Sequence, residues 1–305
     1  MIDLTNILPE ILLTVAAVAL LTVDFLKPDS KRVQLYLALG GCGFALWAIS
    51  SMTLGHGGEF LAADSLTYGF SVLMVIGALV TIALAACDSE VSRHWGSYMA
   101  LLLLAAAGCM LLVKARDFVF AFLAIELISI CSFILVGFER KDLRSTEGAL
   151  KYFLFGAFSS AIALFGISLY YAATGTTAFT LPQGIADTSM GVVYMTALVM
   201  VFVSFAFKAS LAPFHYWTPD AYQSAPVPIA AFLSVVPKLA AFAAMVNVFN
   251  QSIMLDRAQL TTVFSVLAIL TMTVGNVSAL AQTDLKRLLA YSSIAQAGYM
   301  LIGLV

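Results

Sequence analysis

The chain has 305 residues, of which 62% are hydrophobic and only 10% charged, and its mean hydropathy is +0.99. A soluble domain is about 25% charged, so no soluble core could absorb this excess of apolar surface, whereas the bilayer can. A net charge of −2 provides no basic footprint for nucleic acid. Cys42, Cys87, Cys109 and Cys131 are widely separated, form no CxxC pair and do not cluster with the three histidines. They read as small apolar residues, and neither a metal nor an iron–sulfur site is expected within the chain.

The N-terminus lacks the basic region of a cleavable signal, because Asp3 and Glu10 precede any Lys or Arg. A spanning helix needs roughly 20 apolar residues. Hydropathy predicts about ten helices, over 7–26, 33–54, 66–87, 96–113, 117–137, 147–174, 191–212 (continuing brokenly to about 225), 226–249, 257–281 and 285–305. The fold class expected is an all-α, polytopic transmembrane helix bundle. Connections on one side carry Lys27, Lys31, Arg32, Arg93, Arg140, Lys141, Arg144, Lys286 and Arg287, and those on the other only Lys114, Arg116 and Arg257. Under the positive-inside rule the first set is cytoplasmic and the N-terminus lies outside.

Lys151, Lys208 and Lys238 remain, all inside predicted spans, and Glu126 lies near the middle of VFAFLAIELISICSF. A charge at the bilayer centre costs about 2.5–3.5 kcal/mol on insertion scales, so such residues line polar interiors. Glu126, Lys208 and Lys238 are too deep to snorkel. Lys151 lies close enough to a helix end that snorkelling competes with a functional role. Burial disfavours a charged lysine and a nearby carboxylate favours it, so movement between Glu126 and Lys208 would load or release a proton. The other reading is an ion pair that merely ties helices together.

Between Lys208 and Lys238 the sequence KASLAPFHYWTPDAYQSAPVPIAAFLSVVPK holds Pro213, Pro219, Pro226, Pro228 and Pro237, five of the eight prolines. Proline breaks the helical ladder, and irregular backbone at membrane depth is tolerated only where protein or a watery cavity satisfies it. Discontinuous helices of this kind mark ion pathways. His215, two turns after Lys208, either shuttles protons or packs the break. Trp217 and Tyr222 read as interfacial anchors and Asp220 as turn chemistry. Gly275 and Asn276 in TVGN suggest either a close helix crossing or a polar kink, and Asp284, Lys286 and Arg287 a solvated helix start.

These segments resemble the antiporter-like, proton-translocating membrane subunits of respiratory complex I, the bacterial NADH–quinone oxidoreductase. The similarity runs through LPEILLTVAAVALLTVDFL, FLAIELISICSFILVGF, TEGALKYFLFGAFSSAIALFGISLYYAATG, the PFHYWTPDAYQSAP break and TVGNVSALAQTDLKRLLAYSSIAQAGYMLIG, and so covers essentially the whole chain. The resemblance implies that Glu126 pairs with Lys208, that Lys151 modulates or feeds that lysine, and that Lys238 is the central relay lysine. It implies about fourteen helices around two inverted repeats of five. On that pattern the chain divides into helices 1–3 (1–95), a first repeat of helices 4–8 (96–250) and the start of a second (251–305). The second repeat is cut off after two helices, and the chain reads as C-terminally truncated.

The resemblance further implies no cofactor in this chain, with NADH, flavin, iron–sulfur clusters and quinone in or between other subunits. It implies a translocase subunit of an enzyme complex. The partners would be other membrane subunits of complex I, including neighbouring antiporter-like subunits, and the lipid of the bacterial inner membrane. A cation/proton antiporter or membrane-bound hydrogenase subunit shares the lysine and broken-helix pattern, and a structural scaffold without an ion path is the alternative from another class.

Overall fold

The computed structural model describes residues 4–52, 54–55, 58, 60–87, 94–139, 141–180, 190–252 and 257–304. Among them it is all-helical: α1 (Leu4–Leu26), α2 (Lys31–Ser50), α3 (Ser65–Cys87), α4 (Trp95–Lys114), α5 (Phe118–Val136), α6 (Leu143–Thr174), α7 (Met190–Ala209), α8 (Trp217–Ser224), α9 (Val227–Ser252), α10 (Arg257–Leu280) and α11 (Leu285–Ile302). All but α8 and α11 are long and apolar enough to span a membrane. Eleven helices stand among the described residues where about ten are predicted, because the broken seventh is two helices, α7 and α8.

Local chemistry sets several boundaries. Asp117 caps α5 by accepting from the Val119 and Phe120 amides, and Asp142 and Asp284 cap α6 and α11 in the same way. Gly175 ends α6 in the left-handed region at φ 72°, where a side chain would be strained. Pro237 lies inside α9 directly before Lys238 and donates nothing to the ladder.

Helix α4 is the most enclosed of the spanning helices, packed against α1, α2, α3, α5 and α9, and between Leu102 and Val113 all its residues but Leu104 and Leu111 are buried in the core. Helices α10 and α11 pair closely at one flank. A Cβ at Gly275 would lie 2.6 Å from the Ala295 amide nitrogen, so the predicted close crossing is real and falls between these two helices.

At the end of the bundle where α1 begins, three connections zip together. Ala62 N–H donates to the Lys114 carbonyl (2.7 Å), Arg116 N–H to Phe60 (3.0 Å), Phe118 N–H to Thr177 (2.8 Å) and Phe179 N–H to Arg116 (2.8 Å). The loops before α3, between α4 and α5, and after α6 therefore share one end, as the alternation of connections requires.

One assignment is corrected. Lys114, counted in the sequence as a loop residue, is the last residue of α4 and has no exposed surface. Its ammonium lies 2.6 Å from Glu10 of α1 and donates to the Asn6 carbonyl at 2.7 Å. Arg93 and Arg140, two of the nine cations assigned to the opposite side, lie outside the described residues.

Candidate functional site

Helix α7 stops one residue after Lys208. Ser210 turns into the left-handed region at φ 61°, and the chain does not become helical again until Trp217. The backbone freed by the break is collected by neighbours. The Ala212 amide donates to Thr271 of α10 at 3.2 Å, and the Trp217 indole donates to the Phe207 carbonyl at 2.9 Å. Such stitching is what irregular backbone at membrane depth demands.

Lys208 is 1% exposed. Its ammonium donates to Ser129 of α5 at 2.9 Å and to Tyr152 of α6 at 3.3 Å. Glu126 lies one turn before Ser129 on α5, half-buried, and accepts a hydrogen bond from Ser160 of α6. Glu126 and Lys208 thus reach the same two helices but form no ion pair within 4.0 Å.

Lys238 lies about 16 Å along α9 from the helix start, taking a rise of about 1.5 Å per residue. It is 3% exposed and donates to the Ser293 hydroxyl at 2.7 Å and the Ser293 carbonyl at 3.1 Å, both on α11. Its ammonium also sits 5.9 Å from the centre of the Tyr222 ring on α8.

Lys151 lies apart from these. Its side chain is 43% exposed and is held by Glu147 at 2.8 Å and Asp220 at 3.0 Å. Asp220 also takes Arg287 of α11, and Gln223 donates to Asp284 at 3.0 Å, so α8 is clamped between α6 and α11. Asp284 does begin a helix, but Arg287 and Lys286 are not simply solvated: Lys286 donates to the Ala225 carbonyl at 2.9 Å. Asp220 is correspondingly an ion-pair centre rather than a turn residue.

His215 is not on a helical face shared with Lys208. It occupies the turn between α7 and α8, 6% exposed, with its ring stacked on Tyr216 at 4.5 Å. Its Nδ1 has no hydrogen-bond partner among the described residues. Trp217 and Tyr222 are 2% and 3% exposed, so they are core residues of the break and not interfacial anchors. A tryptophan and a tyrosine beside prolines look the same in sequence in either setting.

Sequence reading missed Ser129, Tyr152 and Ser293, the residues that touch the lysines. Ser129 could have been found, because it lies three residues from Glu126 on the same face of α5. Nothing local marks Ser293, which meets Lys238 only through the packing of α11.

A multi-spanning helix bundle with a helix broken at one buried lysine and a second lysine on the next long helix defines the class as antiporter-like membrane subunits. The chain belongs to the NADH:quinone oxidoreductase/Mrp antiporter transmembrane family, whose model matches residues 115–305. NAD(P)H-quinone oxidoreductase subunit 2 of Thermosynechococcus vestitus is 42% identical over 98% of this chain and 59% of its own length. NADH-quinone oxidoreductase subunit N of Trichlorobacter lovleyi is 36% identical over 99% of this chain and 64% of its own. A chain of respiratory complex I from Thermus thermophilus, solved with bound aureothin, superposes with a TM-score of 0.82 at 35% identity, covering 97% of this chain and 64% of that one. The chain therefore spans between 59% and 64% of the length of these relatives.

Proposed function

We propose that the chain acts as the N-type membrane-arm subunit of an NADH:quinone oxidoreductase and moves protons through Glu126, Lys208 and Lys238. Lys151 and His215 would serve the approach to these residues. One observation carries this reading: Lys208 and Lys238 are both withdrawn from solvent and held by hydroxyls and a carbonyl, with no ion pair to either among the described residues. Neutral acceptors take a hydrogen bond from an ammonium or from an amine, so either protonation state can be housed without breaking a charge pair. Lys114, locked to Glu10, has no such freedom.

The redox chemistry belongs to other subunits in this reading. NADH, flavin, iron–sulfur clusters and quinone would sit in or between them, and this chain would contribute no cofactor site. Its neighbours would be other membrane subunits, antiporter-like ones included. It would lie in the bacterial inner membrane with its N-terminus in the periplasm. The three sequence units, 1–95, 96–250 and 251–305, would be an N-terminal three-helix unit, a first repeat and the beginning of a second.

The test is Lys238→Ala in the intact complex of the host, read in inverted membrane vesicles. Proton uptake per NADH oxidised falls steeply while the complex still assembles. Unchanged assembly and unchanged uptake per NADH would make Lys238 a structural charge and the proposal wrong.

A further inference from the structure

Among the described residues Lys208 and Lys238 do not touch the same hydrogen-bonding group, yet a continuous set of rings runs between them. Tyr152, whose hydroxyl accepts from Lys208, stacks on Trp217 with ring centres 4.1 Å apart and planes within 10° of parallel. Trp217 meets Tyr222 edge-on at 6.2 Å, and Tyr222 presents its ring to the Lys238 ammonium at 5.9 Å. All three aromatics are buried. The indole is further pinned to the Phe207 carbonyl, in the turn of α7 that carries Lys208. Trp217 and Tyr222 both lie on the eight-residue helix α8, so a rigid body with few internal rotations spans the break.

We propose that Tyr152, Trp217 and Tyr222 form a positioning unit that fixes Lys208 and Lys238 relative to one another, so that a charge gained at one lysine alters the seating of the other. This inference rests on the relay reading above. The rings carry no proton themselves: a stacked indole offers no acceptor along its face. Their action is geometric and electrostatic. The Tyr152 hydroxyl accepts from an ammonium, and the Tyr222 face attracts an ammonium and not an amine. When Lys208 loses its charge, its hydrogen bond to Tyr152 weakens from a charge-assisted to a neutral one, and the stack carries the resulting shift of Tyr152 to α8 and Tyr222.

The experiment compares Tyr152→Phe, Trp217→Leu and Tyr222→Leu, singly and in pairs, in the assembled complex. Lys208→Ala, Lys238→Ala and the ring-preserving Trp217→Phe run alongside. Inverted vesicles give proton uptake per donor oxidised across pH, with the amount of complex measured in parallel. A hydrogen bond to a charged group governs on the order of a tenfold change in equilibrium. Each single variant is therefore expected to lower the uptake ratio by up to about tenfold and to displace its pH profile. The Tyr152→Phe/Tyr222→Leu pair is expected to be no worse than the more damaging single change, because one break already uncouples the unit. Trp217→Phe, which keeps a stacking ring, is expected to retain most of the ratio.

Single variants with an unchanged ratio and unchanged pH profile overturn the inference, and so do paired effects that simply multiply. Tyr152→Phe deletes one hydroxyl, so it decides the matter even where a leucine variant fails to assemble. If Lys208→Ala and Lys238→Ala leave uptake intact, the relay reading itself falls. If they abolish uptake while the aromatic variants do not alter it, only the positioning unit falls.

Discussion

Lys114 and Lys208 are the same side chain in the same kind of place, at the C-terminal end of a spanning helix and closed off from solvent. What separates them is the partner. Lys114 faces a carboxylate at 2.6 Å, whereas Lys208 faces a serine and a tyrosine. Removing one member of a buried pair strands the other and costs about 3–5 kcal/mol, whereas replacing both with apolar side chains of similar volume is close to neutral. Glu10→Gln or Lys114→Met alone is therefore expected to reduce the thermal stability of the assembled complex sharply, and Glu10→Leu combined with Lys114→Met to restore most of it. Thermal denaturation of the solubilised complex reads this directly. Additive losses in the double variant would show that the pair is not a single energetic unit. At this scale the sequence was informative about depth for Glu126, Lys208 and Lys238, because an ionisable residue far from both ends of an apolar run can only be buried. It was silent about Lys114. A lysine at a helix end is compatible with water or with a partner on a helix about a hundred residues away in sequence, and composition does not distinguish them.

Among the elements, α8 is the one that sequence patterns reach least. Pro219 within it and Pro213 and Pro226 on either side announce a break, but eight residues show no periodicity long enough to say which side faces inward. The structure divides them: Trp217 stacks on Tyr152 and Tyr222 faces Lys238, while Asp220 and Gln223 reach Lys151, Arg287 and Asp284. The seat is tight on the α6 side, where a Cβ at Gly148 would fall on the Ser224 hydroxyl and 2.9 Å from the Asp220 carbonyl oxygen. On the α11 side Asp284 does two jobs, capping its own helix through the Arg287 amide and accepting from Gln223. The Arg287 amide above all, with the Gln223 side chain and the neighbouring Lys286, holds the Asp284 carboxyl below the ordinary aspartate range against the opposing effect of burial. A carboxyl depressed in the folded state adds stability above its unfolded pKa and loses it as pH falls through the folded one. The α11 cap is thus complete at neutral pH and dissolves only on strong acidification. Asp284→Ala is expected to cost about 1 kcal/mol at pH 7. Asp284→Asn, which still caps but cannot titrate, is expected to cost less and to flatten the acid limb of a pH–stability curve. If the alanine variant denatures at the same temperature as the unaltered protein, the cap contributes nothing.

For the whole molecule, spans and their alternation were legible, because about 20 apolar residues have few fates other than crossing a bilayer. The loop layer joining residues 60–62, 115–118 and 177–179 was not legible, since backbone hydrogen bonds between distant connections leave no mark in composition. That layer places Thr180 at one end of the bundle and Lys141, across α6, at the other. With the periplasmic N-terminus proposed above, a cysteine at Thr180 is expected to react with an impermeant maleimide in intact spheroplasts, and one at Lys141 only in inverted vesicles. Both are best tested with Cys87, the exposed native thiol, replaced by serine. The reverse labelling pattern would invert the orientation.

The Glu10–Lys114 pair also has a consequence in time. Its two halves leave the ribosome about a hundred residues apart, which at a synthesis rate of roughly 5–20 residues per second is a delay on the order of 5–20 s. Throughout that interval α1 is an acidic helix without its counter-ion, next to a bilayer that charges enter only at a cost. Final seating of the first helix therefore waits for the fourth. Helices α1 and α2 can pack as they are made, but the link from α1 to α4 closes only when the end of α4 arrives.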